Sequence, residues 1–284
     1  MTNGSVIRLG TRGSALAMKQ ASMIKQALEK KHPNVDIEVV IIQTTGDQRT
    51  EDISTIGGKG VFIKEIEQAL LENKIDCAVH SFKDITSQPH NKLTYSAFLL
   101  NERVNDAFIL FNDKNIESDH CLIATGSMRR KALCAHLYPN VECVSIRGNI
   151  DTRIDTAREL NYDGLILSAA GLQRLNREDE ISFEPDPTRF IPAPGQGMLA
   201  IQNRANDTEL TELIQSLREE KGHVMGCQYY EFLQGIAFNC NHPLGGYISN
   251  DQLHVFIQHQ TPEYMTFHVK ELSSAIDQVR SMVC

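Results

Sequence analysis

The chain has 284 residues, a net charge of −8 and a hydrophobic content of 41%. That length allows two domains and perhaps a smaller third, and the acidic balance argues against nucleic acid, which asks for a basic face. No run reaches the roughly 20 apolar residues of a membrane span, Met1–Ser5 carries no basic-then-apolar leader, and the seven widely spaced cysteines form no C-x-x-C pair, so a cytoplasmic protein with reduced thiols is expected.

Val6 to Gly10 reads as a short strand. Thr11-Arg12-Gly13-Ser14 follows, and a helix is expected from Ala15 to Lys31, with Ser14 as its N-cap. Ala17, Ala21, Ile24 and Leu28 fall on one face of it at the helical period. Arg12 therefore sits in a strand-to-helix turn, where backbone N–H groups also point at a bound group. Val35 to Thr44 is a β-branched strand, parallel to the first if the crossover is right-handed. The polar stretch 46–60 ends in Gly57-Gly58-Lys59-Gly60. It lacks the G-K-[ST] of a Walker loop, and its glycines suit a lid. Phe62 to Lys74 is a helix. The apolar run Ile75 to Val79 is a buried strand that leads into His80-Ser81-Phe82-Lys83-Asp84-Ile85. This places a cation and a carboxylate side by side at the carboxyl edge of a sheet, where open α/β sheets bind ligands. Leu93–Leu100 and Ala107–Phe111 are further strands, and polar Asn101–Asp106 between them reads as a hinge.

The second half repeats the pattern. Leu122–Ala124 is a strand, Thr125-Gly126-Ser127 a turn, and Met128–Leu137 a helix opening on Arg129-Arg130. Two hydroxyls, a glycine and a helix N-terminus beside two arginines make an anion site by geometry. Val141–Ile146 is a strand ending in Arg147-Gly148-Asn149, and Asn149 can cap a helix that carries Arg153. Tyr162–Leu167 is a strand, followed by the small-residue turn Ser168–Gly171 and then Arg174. Like charges gathered on one sheet edge repel one another, so the arginine set points to a small polyanionic ligand. Phe190–Gly197, with Pro192, Pro194, Gly195 and Gly197, crosses back. Met198–Gln202 is strand-like and Asp207–Lys221 helical. His223–Gly235 is a further helix, Phe238–Tyr247 a loop carrying Cys240, Leu253–Gln260 and Tyr264–Val269 a hairpin, and Glu271–Val283 a final helix. The fold class expected is α/β, with two bilobal binding-protein-like domains built on mixed, mostly parallel sheets plus a small C-terminal α+β domain. The boundaries are 1–100 with 198–221, 101–197, and 222–284, and the ligand is expected in the cleft between the first two.

Thr11-Arg12-Gly13-Ser14, Gly57-Gly58-Lys59-Gly60, His80-Ser81-Phe82-Lys83-Asp84, Thr125-Gly126-Ser127-Met128-Arg129-Arg130 and Arg147-Gly148-Asn149 occur in that order. Ala170-Gly171-Leu172-Gln173-Arg174-Leu175, Pro194-Gly195-Gln196-Gly197 and the Cys240 loop with Pro243 and Gly245 follow. Together they resemble the porphobilinogen deaminase (hydroxymethylbilane synthase) family. The resemblance implies stepwise head-to-tail condensation of four porphobilinogen molecules with loss of ammonia, giving hydroxymethylbilane for haem and other tetrapyrroles. It also implies a dipyrromethane cofactor held through Cys240, and a monomer with no nucleic-acid or membrane partner. Asp84 and Lys83 are then the catalytic residues, with the Asp84 carboxylate placed to stabilise a forming cation. Cys240, Arg129, Arg130, Lys83, Ser81, Thr125, Ser127, Arg147 and Gln196 hold the cofactor. Arg12, Ser14, Arg147, Arg153, Arg174 and Phe62 bind substrate, whose acetate and propionate groups suit paired guanidinium donors. Gly126 stands where the family carries a hydroxyl residue, and Ala237-Phe238-Asn239 precede Cys240 in place of an acidic, glycine-rich run.

Two other readings compete. A carboxylate-binding protein of the same fold without chemistry would need neither Asp84 nor Cys240. A metal site could use His223 and Cys227 on one helical face with Cys240 and His242 nearby, but structural zinc favours tighter ligand pairs.

Overall fold

Elements form where the side-chain period favours them, and the first is typical. The computed structural model describes residues 6–44, 63–100, 103–236 and 243–283. The 46–60 lid expectation, Phe62, Cys240 and His242 lie outside the described residues. In chain order the strands are β1 (Val6–Thr11), β2 (Asp36–Ile41), β3 (Cys77–Ser81), β4 (Leu93–Leu99), β5 (Asp106–Leu110), β6 (Cys121–Ala124), β7 (Val141–Val144), β8 (Gly164–Ser168), β9 (Leu199–Arg204), β10 (Leu244–Ser249), β11 (Gln252–Gln258) and β12 (Pro262–His268). The helices are α1 (Ala15–Lys31), α2 (Lys64–Leu71), α3 (Met128–Leu137), α4 (Ile150–Glu159), α5 (Ala169–Arg174), α6 (Thr208–Gln215), α7 (Glu220–Gly235) and α8 (Leu272–Val283). By compactness the chain divides into two units, Met1–Asn101 with Met198–Tyr230, and Glu102–Gly197 with Glu231–Cys284.

The first unit is built on a five-stranded sheet of order β2-β1-β3-β9-β4. β1 pairs in parallel with β2 and β3, while β9 runs antiparallel to β3 and β4. The helix α1 starts at Ser14, whose Oγ accepts from the Ala17 N–H at 3.3 Å; such a cap contributes about 1 kcal/mol. Its buried face packs Ala21, Ile24 and Leu28 on Leu9, Cys77, Val79 and Ile201. On the opposite face of the sheet, Ile66, Ala69 and Leu70 of α2 cover Ile75 and Ala78. β3 is thus buried on both sides, which is why it reads as a continuous apolar run and not as an alternating one. Past Ser81, the Phe82 N–H donates to Met198 O at 2.9 Å and the chain turns into a short 3-10 helix, Phe82–Asp84.

The second unit holds a four-stranded sheet of order β5-β8-β6-β7 and an antiparallel three-stranded sheet, β10-β11-β12. β6 is parallel to β7 and β8; β5 is antiparallel to β8. Phe108, Ile123, Leu133, Ile166, Phe190 and Phe256 form one shared core. We propose that 222–284 form a third, small domain, since the sheet there shares no strand with the four-stranded one.

Four expectations need correction. Leu244–Ser249 is a strand and not part of a loop. Its glycines are there for close approach: a Cβ on Gly245 would stand 2.7 Å from the Ile191 carbonyl oxygen. Ala169–Arg174 is a short helix and not a turn. The helix expected to Lys221 ends at Gln215, and a second begins at Glu220. Asp106, expected in a hinge, opens β5 and is fully buried.

Gly164 tests the β5–β8 pairing. A Cβ there would lie 2.3 Å from the Ile109 carbonyl oxygen, which is ladder backbone and cannot move aside cheaply. Gly164→Ala is expected to cost about 1–3 kcal/mol through overpacking, read as a lower midpoint in chemical denaturation with an unchanged slope.

Candidate functional site

The strand ends of the first unit gather polar groups from three segments. Arg12 comes from the turn after β1, Ser14 and Gln20 from α1, and His80, Ser81 and Asp84 from the end of β3 and its 3-10 turn. With Leu16, Ala17, Ile63 and Val79 they line an open recess. Ser81 and Gln20 fix each other, with Gln20 Nε2 2.9 Å from Ser81 Oγ. Lys83 is half-buried beside Asp84 in the same 3-10 turn. The structure therefore brings Arg12, Ser14, Ser81 and Asp84 together. Gln20 was not singled out from the sequence. The signal was there: it lies on the same helical face as Ala17, Ala21, Ile24 and Leu28, and a polar residue on a buried stripe requires a partner.

The second unit places its residues around Asp106. Arg129 Nη1 donates to Asp106 Oδ2 at 2.7 Å and to Ile191 O at 2.7 Å. Arg130 reaches Asp106 Oδ1 from Nε at 2.9 Å and from Nη2 at 2.6 Å, and its Nη1 donates to Ile166 O at 2.8 Å. Gln196 Nε2 adds bonds to Asp106 Oδ1 at 3.0 Å and Val104 O at 2.9 Å. Burial opposes the charge on Asp106, but the two guanidiniums and the amide outweigh it and hold the carboxyl far below the usual carboxylate range. The carboxylate that Arg129 and Arg130 grip here is the protein's own.

Around the same helix start, Ser127 caps α3 by accepting from Arg130 N, and the Ser127 N–H in turn donates to buried Thr125 Oγ1 at 3.3 Å. Arg147 is half-buried, with its Nη1 3.8 Å from where a Cβ on Gly126 would be. That Cβ would also sit 2.8 Å from Ile146 O, so this backbone does not admit a larger residue at 126 without a shift. Arg153 Nε donates to Gly148 O at 2.6 Å from the first turn of α4. Asn149 stands at the N-cap of α4, but its side chain makes no cap bond.

Arg174 is different from Arg129 and Arg130. It ends α5, is 7% exposed, and donates to the Gly197 carbonyl. Its Nε is buried with no hydrogen-bond partner among the described residues. Burial alone pushes its guanidinium down to about 10. A buried cation with an unspent donor is what an anionic ligand would complete.

Among the described residues no three His, Cys, Asp or Glu side chains cluster as metal ligands, and no helix is long and apolar enough to cross a membrane. His223 and Cys227 do share a face of α7, with Nε2 and Sγ 3.6 Å apart.

Residues 7–212 match the family described as porphobilinogen deaminase, dipyromethane cofactor binding domain. The porphobilinogen deaminase of Lachnospira eligens is 40% identical over 84% of this chain and 83% of its own length. That of Clostridioides difficile is 36% identical over 97% and 94%. Among solved structures, the periplasmic VFT2 domain of Bordetella pertussis BvgS aligns with a TM-score of 0.46 at 13% identity, covering 80% of this chain and 92% of that one.

The Asp106 node sets a stability prediction. Its depressed carboxyl contributes stability that is complete above the unfolded value of about 3.9 and is lost as pH falls below it. Asp106→Asn leaves two buried guanidiniums uncompensated and is expected to cost about 3–5 kcal/mol at pH 7. The gap between the two proteins should narrow on acidification below pH ~4, measured by denaturant unfolding at each pH.

Proposed function

The chain belongs to the porphobilinogen deaminase family, and we propose that it is the transferase that condenses four porphobilinogen molecules head to tail, releasing ammonia, to give hydroxymethylbilane. The observation that carries this reading is Asp84 at the end of β3, in a recess shared with Arg12 and Ser14. Loss of ammonia leaves a cationic pyrrole, and a fixed carboxylate stabilises that charge as it forms. Lys83, next in the chain, is proposed as its catalytic neighbour. The substrate's acetate and propionate need cationic donors, and Arg12, Arg147, Arg153 and Arg174 supply them, with Ser14 as a hydroxyl donor. Phe62 is proposed to stack on a pyrrole ring.

The matched domain is a cofactor-binding domain, and the chain's own donors fit a polycarboxylate. Arg174 keeps a buried Nε that no described group satisfies, and Thr125 and Ser127 stand at a helix start beside Arg147. A dipyrromethane group attached through Cys240 would supply the free pyrrole α-carbon that serves as nucleophile. Lys83, Ser81, Thr125, Ser127 and Arg147 are proposed to hold it directly. Arg129, Arg130 and Gln196 are proposed to serve the same site by fixing the first turn of α3 through Asp106. The reading includes a small-molecule substrate and a single chain working in the cytoplasm, in keeping with free thiols at Cys77, Cys121, Cys134, Cys143 and Cys227.

The intact mass of the protein, measured beside Cys240→Ala, tests the cofactor. An added mass of two linked pyrroles that disappears in the variant is expected. An unmodified mass in both, after incubation with porphobilinogen, would sink the reading. Asp84→Ala is expected to keep the added mass and lower kcat by about 10²–10³. Arg174→Met removes an uncompensated buried charge, so it should raise the stability of the cofactor-free protein by about 1 kcal/mol or more while raising KM for porphobilinogen. A loss of stability instead would mean that Arg174 is structural.

A further inference from the structure

His80 lines the recess with Asp84 but has no part in the chemistry above. Its side chain lies on the α2 face of the sheet, 6% exposed. Nε2 is 3.1 Å from Oε1 of Gln202, a fully buried residue of the neighbouring strand β9. Gln202 Nε2 donates in turn to Glu67 Oε1 of α2 at 2.8 Å. Three side chains from three elements thus form one hydrogen-bonded line that ends at the recess.

The chemistry of the line fixes its direction. An ionised carboxylate only accepts, so Glu67 takes an N–H from the Gln202 amide. That turns the amide oxygen toward His80. An amide oxygen also only accepts, so the hydrogen between them belongs to His80 Nε2. In the neutral ring the lone pair is then on Nδ1. Burial pushes the imidazole down to about 4 even though its Gln202 bond and Asp84 both favour the charged form; Arg12 opposes it. Among the described residues, Glu67, one amide away on α2, and Tyr95 of β4, whose ring meets His80 edge-on at 6.3 Å, also face it. Burial pushes the Tyr95 phenol far up, so it brings no charge. It pushes the Glu67 carboxyl up as well, and the Gln202 bond, the His90 side chain and the His90 backbone work against that.

We propose that Gln202, oriented by Glu67, is a neutral spacer that keeps His80 uncharged beside Asp84, so that no imidazolium offsets the Asp84 carboxylate where the cation forms in the reaction. This rests on the reading of Asp84 as the charge-stabilising group. Arg12 already lines the recess for substrate carboxylates, and an imidazolium at position 80 would offset Asp84 with a cation that binds nothing. A histidine so close to two carboxylates would ordinarily charge. Here one of the two is held a residue's length away by an amide that passes on orientation but no charge. Gln202 and Glu67 are therefore positioning residues, since neither lines the recess.

The test exchanges the two, E67Q/Q202E. The double variant keeps the atom count and the hydrogen-bonded line but sets the carboxylate directly against His80. Ring nitrogen NMR, with His80→Gln used to assign the signal, should show wild-type His80 as the neutral Nε2–H form from pH 6 to 8. In E67Q/Q202E it should be an imidazolium at pH 7. There kcat should fall about tenfold or more with little change in KM, equivalent to about 1.4 kcal/mol, and recover as pH rises through the raised value of His80. Wild type should show no such limb. A charged or Nδ1–H His80 in wild type would overturn the proposal, whether or not the variant folds. So would a double variant whose His80 stays neutral, or one whose His80 is charged at wild-type kcat. The NMR arm needs no turnover, so a wild-type protein that converts no porphobilinogen would fail the functional reading and leave the histidine assignment standing.

Discussion

A carboxylate with no access to water, Asp106, organises the second unit. It opens β5, receives both arginines from the first turn of α3, and accepts from Gln196 in the segment that follows Phe190 and Ile191. Through the same guanidiniums the node reaches the carbonyls of Ile166 in β8 and Ile191. Replacing such a buried ionic group with apolar side chains of similar volume is often neutral or stabilising, so its value is not best argued as stability. What it provides is position. Apolar packing tolerates small rotations of a helix on a sheet, whereas two guanidiniums that share one carboxylate hold the start of α3 in a single placement. Thr125, Ser127 and Arg147, grouped about that helix start, inherit the placement.

Arg174 shows the same residue type used in the opposite way. Arg129 and Arg130 spend their donors on a protein carboxylate, and the cluster balances internally. Arg174 is almost as buried, gives one hydrogen bond to a backbone carbonyl, and retains a buried Nε that no described group satisfies. Such a group lowers the stability of the ligand-free protein. It persists where function requires it, and a bound carboxylate would remove the penalty. The two kinds of arginine therefore separate by compensation and not by burial.

Much of this was legible in the sequence. The helix from Ala15 to Lys31 and the helix from Met128 to Leu137 occupy the residues that their caps and periodicity indicated. The strand into Asp84 was readable because burial on both faces leaves an uninterrupted apolar run. Asp106 was missed for a physical reason. It stands at the edge of a polar stretch, and nothing local distinguishes a hinge aspartate from one that will be buried against arginines about two dozen residues later. The strand at Leu244–Ser249 was hidden by its paired glycines, which signal a turn locally but serve a close approach to Ile191 and Pro194. Gln202 and Glu67 were invisible for the same reason as Asp106: their meaning lies in pairings more than 100 residues apart.

The two units also solve one problem alike. Each places a serine between a strand and a helix, Ser14 before α1 and Ser127 before α3, and each serine oxygen accepts from a backbone N–H in the first turn. A hydroxyl can accept and donate at once. Capping therefore uses the oxygen and leaves the O–H, at a helix N-terminus where the remaining backbone N–H groups and the helix dipole already favour negative charge. Arg12 and Arg147 stand near these two starts, in turns that follow β1 and β7. The local rule that begins each helix thus also furnishes donors for a carboxylate. The condensation proposed here, in which the ligand gains carboxylates at each step, calls for such places more than once.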